Sequence, residues 1–92
     1  MDPKQPEHKS ARASQYTQIY ANNVMMTATN WDFLLEFGRI VESTPLLTRS
    51  EALIGVYMSP QHAKAFSKAL VENIANYEKV FGEIVTEPKA RP

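Results

Sequence analysis

The chain has 92 residues, no cysteine, and ten basic against ten acidic residues, so its formal net charge is zero. This length and a hydrophobic content of 43% suit one small domain that holds together without disulfides, which is compatible with a reducing compartment. No apolar run approaches the roughly 20 residues that cross a bilayer, and the N-terminus lacks the apolar stretch of a signal peptide. We therefore expect a cytoplasmic protein without a membrane-spanning segment.

The charges are distributed unevenly along the chain. Residues 1–15 and 85–92 each carry a net charge of +1, so residues 16–84 carry −2. Binding to duplex nucleic acid depends largely on a basic surface that neutralises phosphates, and a slightly acidic core lacks one. The two ends are rich in Pro and polar residues with little apolar surface to bury. We expect them to be disordered tails on a single domain of residues 16–84.

Three segments of this domain alternate in the manner of β-strands. They cover residues 20–28, 33–41 and 52–58. Residues 29–32 are rich in turn formers and indicate a hairpin between the first two strands, and residues 42–50 are interpreted as a loop.

A helix of roughly twenty residues follows the third strand. Ser59 is placed as its N-cap, Pro60 suits the first helical position, and Gly82 suits the stop. Apolar residues recur at steps of three and four on one face, which we expect to pack on the sheet. They are Ala63, Phe66, Leu70, Ile74, Tyr77 and Phe81. The predicted fold is α+β, a three-stranded antiparallel sheet (β-β-β) followed by one long C-terminal amphipathic helix.

One helix covers only one face of a sheet, yet the second and third strands carry apolar residues on both sides. A core of about seventy residues without disulfides is also near the lower size limit for a stable monomer. Both problems are solved if copies associate through the bare face or the sheet edges. We expect a homodimer or higher oligomer.

Several strings resemble a family of small bacterial proteins known as domain of unknown function 3467. They are YANNV at residues 20–24, DFLLEFG at 32–38, MSPQHAK at 58–64, and the segment at 73–82. The resemblance covers nearly all of residues 20–84. It implies the strand, strand, strand, helix layout and a non-enzymatic protein, and it supplies no catalytic residue or cofactor. The layout is also loosely similar to that of SecB-type export chaperones, an analogy of architecture alone.

No residue set indicates a reaction centre. His8 and His62 stand in separate contexts without cysteine, so no metal site is expected. Asp32 and Glu36 would lie about 13 Å apart on a strand, too far to act as a carboxylate pair. We expect Asp32 to bond turn backbone and Glu36 to pair with an arginine. Ser59 is explained as a cap. We predict no catalytic, cofactor-binding or metal-binding residue and no enzymatic activity.

Five residues are candidate contacts with a partner. Trp31 sits at a hairpin turn, where an aromatic residue either packs over the sheet edge or anchors a partner. Arg39 and Arg49 supply charge near the strands, and Leu53 and Tyr57 lie on the second sheet face.

Three functions remain open. The first is an oligomeric protein-binding or scaffold module, and the second is a SecB-like chaperone that holds unfolded segments. The third is a single-stranded nucleic-acid binder that stacks bases on Trp31, Tyr20 and Tyr57. The sequence does not identify the protein partner.

Overall fold

A computed structural model describes residues 6–87 of the chain. It contains strands β1 (Asn23–Ala28), β2 (Phe33–Ser43) and β3 (Thr48–Met58), followed by helix α1 (Pro60–Phe81). The strands form one antiparallel sheet in the order β1-β2-β3. The predicted α+β architecture is confirmed. Residues 1–5 and 88–92 of the predicted tails lie outside the described residues.

The two hairpins are closed by the same local chemistry. In the first turn the Thr29 hydroxyl accepts hydrogen bonds from the backbone N–H groups of Trp31 and Asp32, at 3.2 and 3.1 Å. In the second turn the Thr44 hydroxyl accepts from Leu46 and Leu47, at 3.3 and 3.0 Å. A side-chain oxygen that accepts hydrogen bonds from nearby backbone N–H groups takes the place of a backbone carbonyl in closing a turn. The first hairpin was predicted, but its turn is held by the Thr29 hydroxyl and not by the Asp32 carboxylate.

The strand boundaries differ from the prediction at three places. β1 begins at Asn23, the first residue aligned with β2 in the register, whereas a strand from residue 20 was expected. β2 and β3 both extend into the predicted loop of residues 42–50, leaving only residues 44–47 as the connection. The polar residues at these strand ends pair across the hairpin, as Glu42 does with Arg49, so low hydrophobicity there did not mean a loop.

Helix α1 begins and ends as predicted. The Ser59 hydroxyl accepts a hydrogen bond from the His62 backbone N–H at 3.1 Å, and Pro60 occupies the start of the helix. Gly82 adopts a φ of 95°, which is accessible to glycine without strain, and its N–H donates to the Glu78 carbonyl at 2.9 Å. A single residue, Ser59, therefore joins the sheet to the helix.

The register separates the sheet into two unlike faces. The apolar face is defined by the residues that alternate with Leu35 on its strand and align with them across the ladder: Val24, Met26, Ala28, Phe33, Leu35, Phe37, Ile54, Val56 and Met58. The opposite, mixed face joins Met25, Leu34 and Tyr57 to polar and small residues such as Thr27 and Glu36. Apolar residues therefore lie on both faces, as predicted for β2 and β3, but they are continuous on one face only.

The β2–β3 ladder has two irregularities, between Phe37 and Gly38 and between Ile40 and Glu42. Leu53 is an extra residue of β3 between the Phe37–Ile54 and Gly38–Ala52 pairs, so Ala52 leaves the face that Ile54 occupies. Close to the first bulge, Asn22 binds β2 twice. Its N–H donates to the Gly38 carbonyl at 3.0 Å, and its Oδ1 accepts from the Ile40 N–H at 2.9 Å.

The helix does not close over the sheet, contrary to the expectation that its stripe packs there. Leu35, 6% exposed, is the single buried hydrophobic residue in the part of the chain that the structure describes. Leu70, at the middle of the stripe, is 47% exposed. The radius of gyration is 18.1 Å, whereas a compact chain of this length measures about 12 Å. The isolated chain is therefore an open structure, with residues 6–22 also outside any helix or strand.

Candidate interaction surface

An apolar groove of about 480 Å³ lies between the sheet and the first half of α1. Its floor is the apolar face, and its wall is the first three turns of the helix. The residues that line it are Val24, Met26, Phe33, Leu35, Phe37 and Met58 from the sheet, with Pro60, Ala63, Lys64, Phe66, Ser67 and Leu70 from the helix. Apart from Leu35, side chains that would form the core of a closed domain here remain partly exposed.

The second half of α1 continues the same apolar stripe beyond the groove. Ile74, Tyr77 and Phe81 are all exposed, and the rings of Tyr77 and Phe81 stack at 4.7 Å between centroids. The chain after Gly82 turns back along this end of the helix, where the Ile84 N–H donates to Glu78 Oε2 at 2.9 Å. A smaller hollow of about 390 Å³ lies between Ile84 and the stripe.

Two of the predicted partner contacts lie at one end of the sheet. Trp31, in the β1–β2 turn, is 81% exposed, which favours a contact residue over one packed on the sheet edge. Tyr57 is exposed on the mixed face, opposite Leu34 and one residue from the end of β3. Both residues lie at the sheet end from which α1 begins.

The other three predicted contacts lie elsewhere. Arg39 aligns with Glu51, and the guanidinium of Arg49 forms an ion pair with Glu42 at 3.3 Å. Arg49 and Tyr57 are eight positions apart, or about 26 Å along the strand, so arginines and aromatics do not form one site. Leu53 lies between them at the bulge, partly exposed.

The predicted pairing of Glu36 with Arg39 or Arg49 does not occur within one chain. Glu36 aligns with Met25 on one side and Gly55 on the other. The arginines instead lie beside acidic residues of the adjacent strand, so their charge is locally balanced.

Sequence reasoning missed Leu46, the counterpart of Trp31 in the second hairpin. Leu46 is 96% exposed at the third position of its turn, and Trp31 holds the same position in the first turn. The signal was present in the sequence, because a large apolar side chain in a tight turn has little neighbouring surface to bury against. The two tips stand at opposite ends of the sheet.

The remaining candidates show no reactive geometry. His62 is exposed beside the helix cap, and Asp32 is exposed in the first turn. Within residues 6–87, no group of three His, Asp or Glu side chains is close enough to hold a metal ion. Over the same residues, α1 is too polar to be a bilayer-spanning helix.

Comparison with known proteins gives a family but no activity. No curated protein matches the chain, and no solved structure does. A family profile described as "Protein of unknown function (DUF3467)" matches residues 2–86. That match spans all four structural elements and each of the strings that carry the resemblance noted from the sequence. The chain belongs to the DUF3467 family.

Proposed function

We propose that this protein is a non-enzymatic protein-binding module that works as an oligomer. The observation that carries the proposal is the uncovered apolar face together with the exposed helix stripe. A monomer rarely exposes a contiguous apolar patch beyond a few hundred Å², and larger patches mark interaction sites. Self-association removes this patch from water, and the surface that remains exposed is available to another protein.

The hairpin tips are the contact points for that second protein. Trp31 and Leu46 stand clear of the sheet on short turns fixed by threonine hydroxyls. An apolar side chain on a rigid turn loses little conformational freedom on binding, which is the property of an anchor residue. Tyr57 enlarges the surface near Trp31.

A nucleic-acid function has less support from the geometry. Trp31 and Tyr20 lie near opposite ends of β1, so they do not form one stacking platform. The nearby arginines lie beside Glu51 and Glu42. Binding to single strands needs aromatic faces along an unpaired basic groove.

The chaperone function remains as the second candidate because the groove is open and apolar. A holder of unfolded segments keeps such a groove accessible after assembly, whereas a scaffold buries it. Binding of a fluorescent apolar dye to the assembled protein separates the two. Strong dye binding that Leu35→Gln abolishes, with protection of an unfolded client from aggregation, would favour the chaperone.

The proposal is tested first by the mass of the full chain in solution. Light scattering coupled to size exclusion should give at least twice 10.4 kDa at micromolar concentration. A folded particle of monomer mass at every concentration would contradict the proposal.

The tips are tested by Trp31→Ala and Leu46→Ser in the assembled protein. We expect both variants to keep the oligomer mass, because neither residue lies on the apolar face, and to lose binding to protein partners identified by cross-linking in the native cell. Lys68→Ala, an exposed change on the helix, is the matched control. If the tip variants instead lose a salt-sensitive binding to single-stranded DNA and keep their protein partners, the result favours the nucleic-acid function.

A further inference from the structure

The groove and the second half of α1 are complementary in shape and chemistry. The groove has an apolar floor and wall with no occupant, and the second half of α1 has an apolar stripe with no sheet beneath it. The two features lie on the same chain but do not reach each other, because the helix that carries the stripe also forms the wall.

The junction at Ser59 prevents the stripe of one chain from covering the groove of that same chain. Helices that pack on a preceding strand usually follow loops of about two to six residues. Here one residue separates β3 from α1, with Ser59 at φ −67° and ψ 155°. The following Pro60 disfavours the helical region for Ser59 and has its own φ fixed by its ring. The direction in which the helix leaves the sheet is therefore set by a stiff corner.

The exposed area is large enough for an extensive interface. The accessible surface is 9186 Å², and a compact monomer of 10.4 kDa exposes roughly 5,400 Å². Residues 6–22 contribute part of this excess of roughly 3,800 Å². The exposed residues of the helix and sheet contribute as well, and a stable dimer buries only about 800 Å² per partner.

One row of residues on α1 is complementary in charge about the middle of the helix. Lys64, Val71 and Glu78 recur at every seventh position, so they lie in one row along the flank of the apolar stripe. The row begins with a positive charge and ends with a negative one, with Val71 midway. When two such helices lie antiparallel, with Val71 next to the partner's Val71, Lys64 faces the partner's Glu78 and the pair occurs twice.

We infer that a second copy of this chain fills the groove, with its α1 antiparallel to the first α1 and centred on Val71. The second half of each helix then covers the groove of the other subunit. In this arrangement the partner's Ile74, the partner's Tyr77 and the partner's Phe81 lie over the apolar face. The two-fold axis makes both contacts identical, as in most homodimers. This arrangement rests on the proposed oligomer and specifies its interface.

The absence of cysteine from the chain permits a direct test. Val71→Cys should form an intersubunit disulfide under mild oxidation, because its sulfur lies beside that of the second copy. Lys64→Cys alone should not, since the two copies of residue 64 lie about 10.5 Å on either side of Val71 in the antiparallel pair, and so about 21 Å apart along the helix axis. Co-expressed Lys64→Cys and Glu78→Cys chains should cross-link to each other.

Charge reversal gives an independent measurement of the same contact. Lys64→Glu should raise the dimer dissociation constant about tenfold, since an exposed pair is made repulsive twice. The double variant Lys64→Glu with Glu78→Lys should restore the dissociation constant to within about threefold of the wild-type value. Full recovery is not expected, because Glu78→Lys also removes the hydrogen bond from the Ile84 N–H. Lys68→Glu is the matched control, because Lys68 lies off the flanking row, and it should change the constant little.

The outcomes separate this interface from the proposed function. The antiparallel arrangement is overturned if the protein is an oligomer in which Val71→Cys stays reduced. It is also overturned if Lys64→Cys cross-links to a second Lys64→Cys chain, as expected for parallel helices. Either result leaves the protein-binding proposal standing. A dye-accessible groove in the wild-type oligomer, with unchanged affinity in Lys64→Glu, would assign the groove to another occupant. A monomeric wild-type chain would overturn both proposals.

Discussion

Gly38 illustrates how a single residue fixes the sheet. It is buried beside the bulge, and a Cβ built on it would collide with the Glu51 carbonyl, a backbone atom that cannot move aside. Gly55 also lies within the sheet, but its Cβ would meet only the tip of Leu34 at 3.4 Å. Neither glycine has a positive φ, so the effect of an alanine substitution on stability depends only on the space available for its Cβ.

We expect Gly38→Ala to lower the free energy of unfolding by roughly 2–3 kcal/mol, because the strands must separate locally to admit the methyl group. Gly55→Ala should leave it unchanged or raise it slightly, since alanine has less freedom in the unfolded chain. Urea denaturation at a fixed protein concentration measures both. Equal stabilities for the two variants would contradict the bulge geometry.

Residues with local roles were predictable from the sequence, and those with distant partners were not. The roles of Ser59, Pro60 and Gly82 follow from spacing along one helix. The Asn22 side chain, by contrast, binds the backbone of Ile40, 18 residues away, and a sequence pattern carries no information on that pairing. The bulge at Leu53 escaped prediction for the same reason, and it moved Ala52 to the mixed face.

At the scale of elements, the junction between β3 and α1 decides whether the helix covers its own sheet. The sequence predicted both elements and the cap that joins them. It did not predict that a one-residue connection would hold the stripe away from the apolar face, because amphipathic pattern shows which side of a helix is buried but not against which chain.

Lengthening this junction should favour the monomer. Insertion of Gly-Ser between Met58 and Ser59 gives the helix a loop long enough to fold onto its own apolar face, where it competes with the partner's helix. We expect the monomer fraction at micromolar concentration to rise, as measured by light scattering. The same insertion after Pro45, in the far hairpin turn, is the control and should leave assembly unchanged. A dimer fraction equal in both variants would show that the corner does not control assembly.

At the scale of the whole molecule, residues 6–87 resemble one subunit of an assembly and not a closed domain. The extended shape, the empty groove and the uncovered stripe are all explained by one missing apolar layer. Residues 6–22 do not supply it, since Tyr16, Ile19 and Tyr20 are themselves exposed. Their ordered contacts are local, such as the Arg12 guanidinium 4.7 Å above the Tyr16 ring.

Removal of residues 1–13 and 87–92 should therefore leave fold and assembly intact. Residues 6–13 are exposed and carry no helix or strand. The loss of the Arg12–Tyr16 contact costs at most about 1 kcal/mol, which shifts the melting temperature by no more than about 8 °C. Removal of residues 1–22 is the informative comparison, because it also deletes Asn22 and both of its bonds to β2. Melting curves and light scattering should show a clearly larger loss for the longer deletion. An equally large loss with the shorter deletion would mean that the first thirteen residues or the last six form part of the assembled core, and that an exchanged arm, not the partner's helix, supplies the missing layer.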